Sequence, residues 1–378
     1  MQLKKPLKIF IDGYLLNKEP QGTQTYIKEL YKEVAKANPN HIFYLGIFHD
    51  ENIIKQFSEH KNIKFIYFKT KSRLLRMIFE LPQLIKKNNF DFAHFQYVIP
   101  LVKNKNCKYI VTIHDILFNE FPGHFSFLYR IRRNFLFKYS ALKSDFLVTV
   151  SNYSKQSIIK QYQLSNKEIY ITPNGVNEKY LEAYSKKEAV QYIQEKHNIN
   201  NLILYISRVE PRKNQELLIQ SFLDLQLFKQ GYQLVLIGKN SIKNNAFENL
   251  LKALNTEQRK MIHYFDEIDQ NDLIEFYRAA TVFVFPSKAE GFGIPPIEAG
   301  ALKIPVLCSN TTAMSDFEFF NPYFVNPNAT KDFQKSLQKI ITHKNELNLD
   351  HIQQTIKNRY SWRASAKVIT NIINDQYL

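Results

Sequence analysis

The chain is 378 residues long, more than one ordinary hydrophobic core serves, so two domains are expected. With 44% hydrophobic and 23% charged residues it has a globular composition, which excludes a disordered chain. The net charge of +16 lies almost wholly in residues 1–175, which carry 27 Lys and Arg against 13 Asp and Glu, while the remainder carries 24 against 22.

In chain order, Leu7–Ile11 reads as a short buried strand ended by the Asp12-Gly13 turn. Lys4, Lys5 and Lys8 resemble the start of a signal peptide, but Asp12 interrupts the apolar stretch too early for one. A helical pattern follows at Tyr26, Ile27, Leu30, Tyr31 and Val34, after Gly22 and Thr23. Further strands are expected at Ile42–Phe48, Lys64–Phe68, Phe92–Phe95, Tyr109–Ile113 and Phe146–Val150. Helical stretches separate several of them, which implies βαβ units and a largely parallel sheet.

The Thr172-Pro173-Asn174-Gly175 turn marks the expected boundary, and the alternation then restarts. Leu202–Ile206, Gln233–Ile237, Met261–Tyr264 and Thr281–Phe285 read as strands. Asn214–Phe222 and Asp272–Ala280 read as helices between them, and a last helix runs from Ser361 to about Gln376 with the only tryptophan, Trp362. The fold class expected is α/β, with two Rossmann-like doubly wound parallel-sheet domains facing across a cleft. Ligands of such sheets bind at the carboxyl ends of the strands, so functional residues belong in the loops that follow strands. Cys107 and Cys308 stand apart and outside any CxxC pair, which fits a reducing compartment and argues against a disulfide scaffold or a zinc site. No run approaches the roughly 20 apolar residues that span a bilayer.

Two stretches carry most of the chemistry. In Phe285–Gly300 (FPSKAEGFGIPPIEAG) a strand ends in a glycine-punctuated loop, with Pro295 and Pro296 in the first turn of a helix. Backbone N–H groups of such a loop and the positive end of the helix dipole suit phosphate. Glu290 and Glu298 do not, and sugar and ribose hydroxyls are better partners for them. In Ser207–Asn214 (SRVEPRKN) Arg208 and Lys213 bracket a proline turn at a helix start, where two fixed cations neutralise a diphosphate and stabilise it as a leaving group. Arg212 reads as a solvated neighbour.

Glu290 and Glu298, with seven residues between them inside EGFGIPPIEAG, resemble the signature of retaining glycosyltransferases of family 4, which have the GT-B fold. SRVEPRKN resembles that family's donor-diphosphate motif. TIHD (Thr112–Asp115), VSNYSK (Val150–Lys155), TPNGV (Thr172–Val176) and YSW (Tyr360–Trp362) match in order along nearly the whole chain. The resemblance implies an acceptor-binding domain over residues 1–175 and a nucleotide-sugar domain over 176–360. A terminal helix, 361–378, would pack back towards the first. It implies that Arg208 and Lys213 hold the donor diphosphate and that Glu298 bonds the ribose. Glu290 would lie against the transferred sugar, with Gly291, Phe292, Gly293 and Ile294 helping to seat it. His114 would approach that sugar near the reacting carbon, and Gly22, Asp115, Asn152 and Ser154 would line the cleft. The stretch from Pro20 to Tyr26 keeps one glycine, Gly22, where the family has a glycine-rich turn, and the Thr23 and Thr25 hydroxyls are candidate substitutes.

The implied reaction retains anomeric configuration and needs neither cofactor nor metal ion. TIHD and VSNYSK resemble mannosyl- and rhamnosyltransferases of bacterial surface polysaccharide synthesis, which makes GDP-mannose the first donor expected. Lys69–Lys87 and Phe125–Lys143 mix cations with large apolar residues, as helices on anionic lipid do and as ordinary amphipathic helices do too. The partners expected are a nucleotide-sugar donor, a glycan or lipid-linked acceptor and an anionic membrane surface. The setting expected is cytoplasmic, at the inner face of the membrane. A sugar-nucleotide epimerase is the enzymatic alternative. A basic nucleic-acid-binding protein is the other, and no helix-turn-helix, RNA-recognition or zinc-finger spacing supports it.

Overall fold

A computed structural model describes residues 5–18, 22–122, 126–242, 244–343 and 347–374. The chain divides into two units, Met1–Gly175 with Ser361–Leu378 and Val176–Tyr360. Pro20, Gln21, Phe125 and Gln376 of the stretches above lie outside the described residues.

The first unit holds β1 (Lys8–Asp12), β2 (Ile42–Ile47), β3 (Ile63–Tyr67), β4 (Phe92–Gln96), β5 (Lys108–Thr112), β6 (Phe146–Thr149) and β7 (Ile169–Ile171), in the order β3-β2-β1-β4-β5-β6-β7. The second holds β8 (Leu202–Ile206), β9 (Gln233–Ile237), β10 (Ile262–Phe265), β11 (Val282–Phe285), β12 (Val306–Ser309) and β13 (Phe324–Val325), in the order β10-β9-β8-β11-β12-β13. The pairings in both are parallel. Strand order reverses between β1 and β4 and again between β8 and β11, so the loops after those strands diverge and open a crevice at each sheet's carboxyl edge. Every position of β4, β11 and β12 is buried, as expected of parallel strands covered on both faces.

The closing helix, Trp362–Asn374, belongs to the first unit and packs on the helix Gly22–Ala37. Asn38 donates to Thr370 Oγ1 at 2.9 Å, and Ser365 Oγ donates to the Pro173 carbonyl at 2.6 Å. Gly175 permits this return, because a Cβ there would collide with the Trp362 backbone. Under that junction a buried polar chain crosses the sheet. Tyr31 Oη lies 2.5 Å from His94 Nδ1, and His94 Nε2 lies 2.7 Å from Thr112 Oγ1. Tyr26 Oη then meets Thr112 Oγ1 at 3.2 Å and Thr172 Oγ1 at 2.7 Å.

Burial pushes both His94 and His114 down from the ordinary histidine value to about 3. The unfolded chain therefore binds protons between about pH 6.5 and pH 3 that the first unit does not, and stability falls as pH drops through that window. Each histidine contributes a loss of about 1.4 kcal/mol per pH unit below 6.5. Asp12, whose carboxyl burial raises, opposes this in part. Trp362 fluorescence, which reports the first unit alone, should show a melting temperature that falls steadily from pH 6.5 to pH 5. A flat profile over that range would show that the two imidazoles are not held neutral.

Candidate active site

The second unit gathers its charged residues at the crevice between β8 and β11. After β8 the chain runs through Ser207–Glu210 into a single tight turn, Pro211–Lys213, and then into the helix Gln215–Asp224. Asn214 takes a left-handed conformation between turn and helix (φ 59°), which asparagine tolerates. Its amide donates to the Pro286 and Pro327 carbonyls, 3.2 Å each, tying this loop to the ones after β11 and β13. The loop after β11 ends at Gly293, whose φ of 106° favours glycine, and the helix Ile294–Ala301 follows with prolines in its first turn. Phe292 is buried between the Phe317 and Tyr360 rings, which anchors the loop.

Across these two loops runs an alternating row of charges. Arg208 Nη2 lies 3.1 Å from Glu210 Oε1, and Arg212 Nη2 lies 2.8 Å from Glu210 Oε2. Arg212 Nη1 then reaches Glu290 Oε2 at 3.1 Å, and Lys213 Nζ reaches Glu290 Oε1 at 2.5 Å. Arg212 is therefore not the solvated neighbour expected. It also donates to the Ala289 carbonyl at 2.6 Å and holds the β11 loop as firmly as Lys213 does. Burial raises the Glu290 carboxyl, but Lys213 and Arg212 together outweigh it and hold the group ionised, at about 2. Burial likewise pulls Lys213 down, to about 8 against the pull of Glu290, so the pair is charged on both sides at neutral pH. Arg208, at the outer end of the row, has a side chain 44% exposed and is the cation most open to a ligand.

Glu298 sits apart from this row, on the helix. It is half-buried, burial raises its carboxyl, and it accepts from Tyr277 Oη at 2.9 Å with Tyr180 as a second phenol beside it. Among the described residues no group of three His, Cys, Asp or Glu side chains is placed to hold a metal ion.

The first unit places the other expected residues at its own carboxyl edge. His114 follows β5, is buried, and its Nε2 lies 2.8 Å from Gln96 Oε1. With the amide oxygen as acceptor, Nε2 carries the proton and Nδ1 is the unprotonated nitrogen. Tyr26 meets the ring edge-on at 4.8 Å and Tyr97 lies 5.1 Å away. Asp115 accepts from the Leu117 N–H at 3.1 Å, which forms a turn. Asn152 and Ser154 open the helix Asn152–Tyr162, capped by Ser151, with Asn152 exposed and Ser154 buried. Gly22 begins the first helix, and Thr23 Oγ1 lies 3.2 Å from Tyr97 Oη. Sequence reasoning passed over Glu210, Gln96, Tyr180 and Tyr277. Only Glu210 had a local signal, a carboxylate between two arginines directly after a strand.

Residues 186–375 match the model of the family Glycosyl transferases group 1, and residues 20–180 match Glycosyltransferase Family 4. The chain is 29% identical to the O-antigen chain mannosyltransferase RfbU of Salmonella typhimurium over 245 residues, 65% of this chain and 63% of that protein. The match thus spans less than two thirds of RfbU. To the O-antigen chain mannosyltransferase B of Escherichia coli it is 28% identical over 312 residues, 78% of this chain and 80% of that one. Sucrose-phosphate synthase from Thermosynechococcus elongatus shares the fold, with a TM-score of 0.76 over 99% of each chain at 16% identity. With two parallel-sheet α/β domains of the GT-B kind and both family models matched in order, the chain belongs to the group 1 glycosyltransferases of family 4.

Proposed function

We propose that the protein is a retaining, metal-independent hexosyltransferase that moves a mannosyl group from GDP-mannose to a glycan or lipid-linked glycan in bacterial surface polysaccharide synthesis. The observation that carries this reading is the ionised row Arg208–Glu210–Arg212–Glu290–Lys213 at the carboxyl ends of β8 and β11. It holds three cations against two carboxylates, and its most exposed member is a cation. A diphosphate supplies the missing negative charge. The mannosyl donor is supported by the names of the two O-antigen relatives.

In this reading Arg208 and Lys213 hold the donor diphosphate, with the N–H groups of Gly291–Ile294 at the start of their helix beside them. Glu290 accepts from hydroxyls of the transferred sugar while it keeps Lys213 in place. Glu298 accepts from the ribose, and its two phenols orient it. The acceptor hydroxyl forms its bond to the anomeric carbon on the face from which the diphosphate departs. The carbon–oxygen bond to the diphosphate breaks, and a diphosphate oxygen takes the hydroxyl proton. Catalysis then rests on positioning and on stabilising the charge that grows on the leaving group. Fixed cations supply that stabilisation in place of a divalent ion. His114 acts on the sugar as a neutral hydrogen-bonding group, since burial keeps it uncharged. The basic excess of residues 1–175 supports contact with an anionic membrane surface. No described helix is long and apolar enough to cross a membrane.

A thermal-shift screen against GDP-, UDP-, dTDP- and ADP-linked sugars tests the donor. A ligand at about a hundred times its dissociation constant adds roughly 2.7 kcal/mol, so GDP-mannose should give a clear upward shift that survives EDTA. A shift lost on chelation and restored by magnesium or manganese would overturn metal independence. Lys213→Ala should lose about 2–4 kcal/mol of transition-state stabilisation, while Arg212 still neutralises Glu290. A fall in turnover of less than about tenfold would remove Lys213 from the leaving-group role. Glu298→Ala should mainly weaken donor binding, and an unchanged donor affinity would separate this carboxylate from the ribose.

A further inference from the structure

In the first unit the short helix Arg73–Leu75 passes into a π-helical turn, Arg76–Glu80, a geometry frequent at functional sites. Glu80 fastens the preceding loop by accepting from the Lys69 and Thr70 N–H groups at 2.7 and 3.0 Å. Arg76 is wholly buried, with its guanidinium carbon 3.7 Å from the Tyr14 ring centroid and 5.1 Å from that of Phe68. Its Nε and Nη1 have no hydrogen-bond partner, and Asp12 meets its charge only from beyond ion-pair distance. A buried guanidinium left in this way is costly unless an anion completes it.

Other cations collect around it. Lys18 Nζ lies 4.9 Å from the Tyr14 ring centroid. The charge of Arg73 is coupled to both Arg76 and Arg133. Arg133 stands 4.7 Å over Tyr129 and 5.5 Å over Phe137. Among the described residues, Asp12, whose burial favours its neutral form, acts on Arg73 and Arg76, and Asp115 acts with Arg133 on Tyr97. The Tyr14 phenol registers the resulting field. Burial pushes its pKa up, yet Lys18, Arg76 and Arg73 bring it below the ordinary value. The two segments that carry these arginines also expose large apolar side chains, with Leu74 at 67%, Phe79 at 56%, Phe127 at 70% and Leu128 at 80%. Cations among exposed apolar side chains fit a ligand with a charged head and an apolar chain.

We propose that Lys18, Arg73, Arg76 and Arg133 form a site for the phosphate or diphosphate group of a lipid-borne acceptor, whose chain lies against Leu74, Phe79, Phe127 and Leu128. The proposal rests on the transferase reading and deepens it by assigning the acceptor's anionic group to named residues. Arg76 supplies a fixed, buried charge, and the more accessible Lys18, Arg73 and Arg133 supply the direct contacts.

The test is calorimetric titration of the full chain with farnesyl diphosphate, inorganic pyrophosphate and farnesol. The donor site is blocked by the nucleoside diphosphate that the thermal screen selects. Farnesyl diphosphate should bind more tightly than pyrophosphate, and farnesol should not bind detectably. The double variant Arg73→Gln/Arg133→Gln should weaken farnesyl diphosphate binding by at least about tenfold, the scale of lost charge-assisted contacts. A Trp362 fluorescence melt that matches the parent chain's checks that the first unit of the variant is folded. Unchanged affinity in the double variant overturns the site. Equal binding of pyrophosphate and farnesyl diphosphate assigns it to free phosphate and overturns the lipid-borne ligand. Binding only to phosphatidylglycerol vesicles, in proportion to their charge, makes the cluster a non-specific membrane surface and also overturns it. Nucleotide-sugar binding without diphosphate binding sinks this site alone, whereas loss of nucleotide-sugar binding sinks the transferase reading.

Discussion

Taking a carboxylate out of water costs several kcal/mol, and Glu290 is only 7% exposed. Lys213 and Arg212 meet that cost from the other side of the β8–β11 switch, one on each oxygen. The ion pairs are short because β8 and β11 are paired neighbours in the sheet and their loops start side by side. The rest of the second unit's edge is arranged to hold them. Asn214 ties the cation-bearing loop to the Pro286 and Pro327 carbonyls, and the Lys288 N–H donates to the Arg212 carbonyl at 2.8 Å. Removing one partner from such a buried pair costs far more than the pair contributes to stability, because the remaining charge has no solvent to turn to. The arrangement therefore fixes position more than it adds stability.

The same pairing answers an electrostatic objection to acids in a phosphate site. Two bare carboxylates beside a diphosphate repel it, whereas Glu290 and Glu210 are each already neutralised by two cations. The row as a whole remains positive by one charge. In the proposed reading Glu290 is then free to use its remaining lone pairs on sugar hydroxyls, and Lys213 meets the diphosphate with its rotamer already fixed. Pre-organisation of this kind spares the entropy of ordering a long side chain at the moment of reaction.

Much of this was legible in the sequence, for reasons that also explain the rest. Strands β8 and β9 stand residue for residue where apolar runs mark them, because parallel strands covered on both faces need unbroken apolar sequence. Strands β7 and β13 are three and two residues long, too short to give a pattern. Arg208 and Lys213 were visible because they stand between a strand end and a helix start, and Glu290 and Glu298 because they flank the start of the helix that follows β11. Arg212 was misread because a cation inside a charge run looks solvated until the carboxylate across the fold is known. The same holds for Tyr277, which reaches Glu298 from a different helix, and for Arg76, whose burial depends on Tyr14 and Phe68 from distant loops.

In the first unit the residue at the corresponding switch is Tyr97, directly after β4. Its φ of 67° is unusual for a bulky side chain, and a strained backbone of this sort costs on the order of 1–3 kcal/mol. Its surroundings hold it there. The ring stacks on Phe137 at 5.4 Å, the hydroxyl lies 3.2 Å from Thr23 Oγ1 at the start of the first helix, and the backbone N–H donates to the Thr112 carbonyl at 2.8 Å. That conformation sets the ring 5.1 Å from His114 on one side and 6.0 Å from the Arg133 guanidinium on another. A flexible residue at this point would relieve the strain and lose the shared wall between the neutral histidine and the arginine cluster. The strain is thus the means by which one aromatic side chain keeps a hydrogen-bonding imidazole and a cationic surface in fixed register on the same sheet edge.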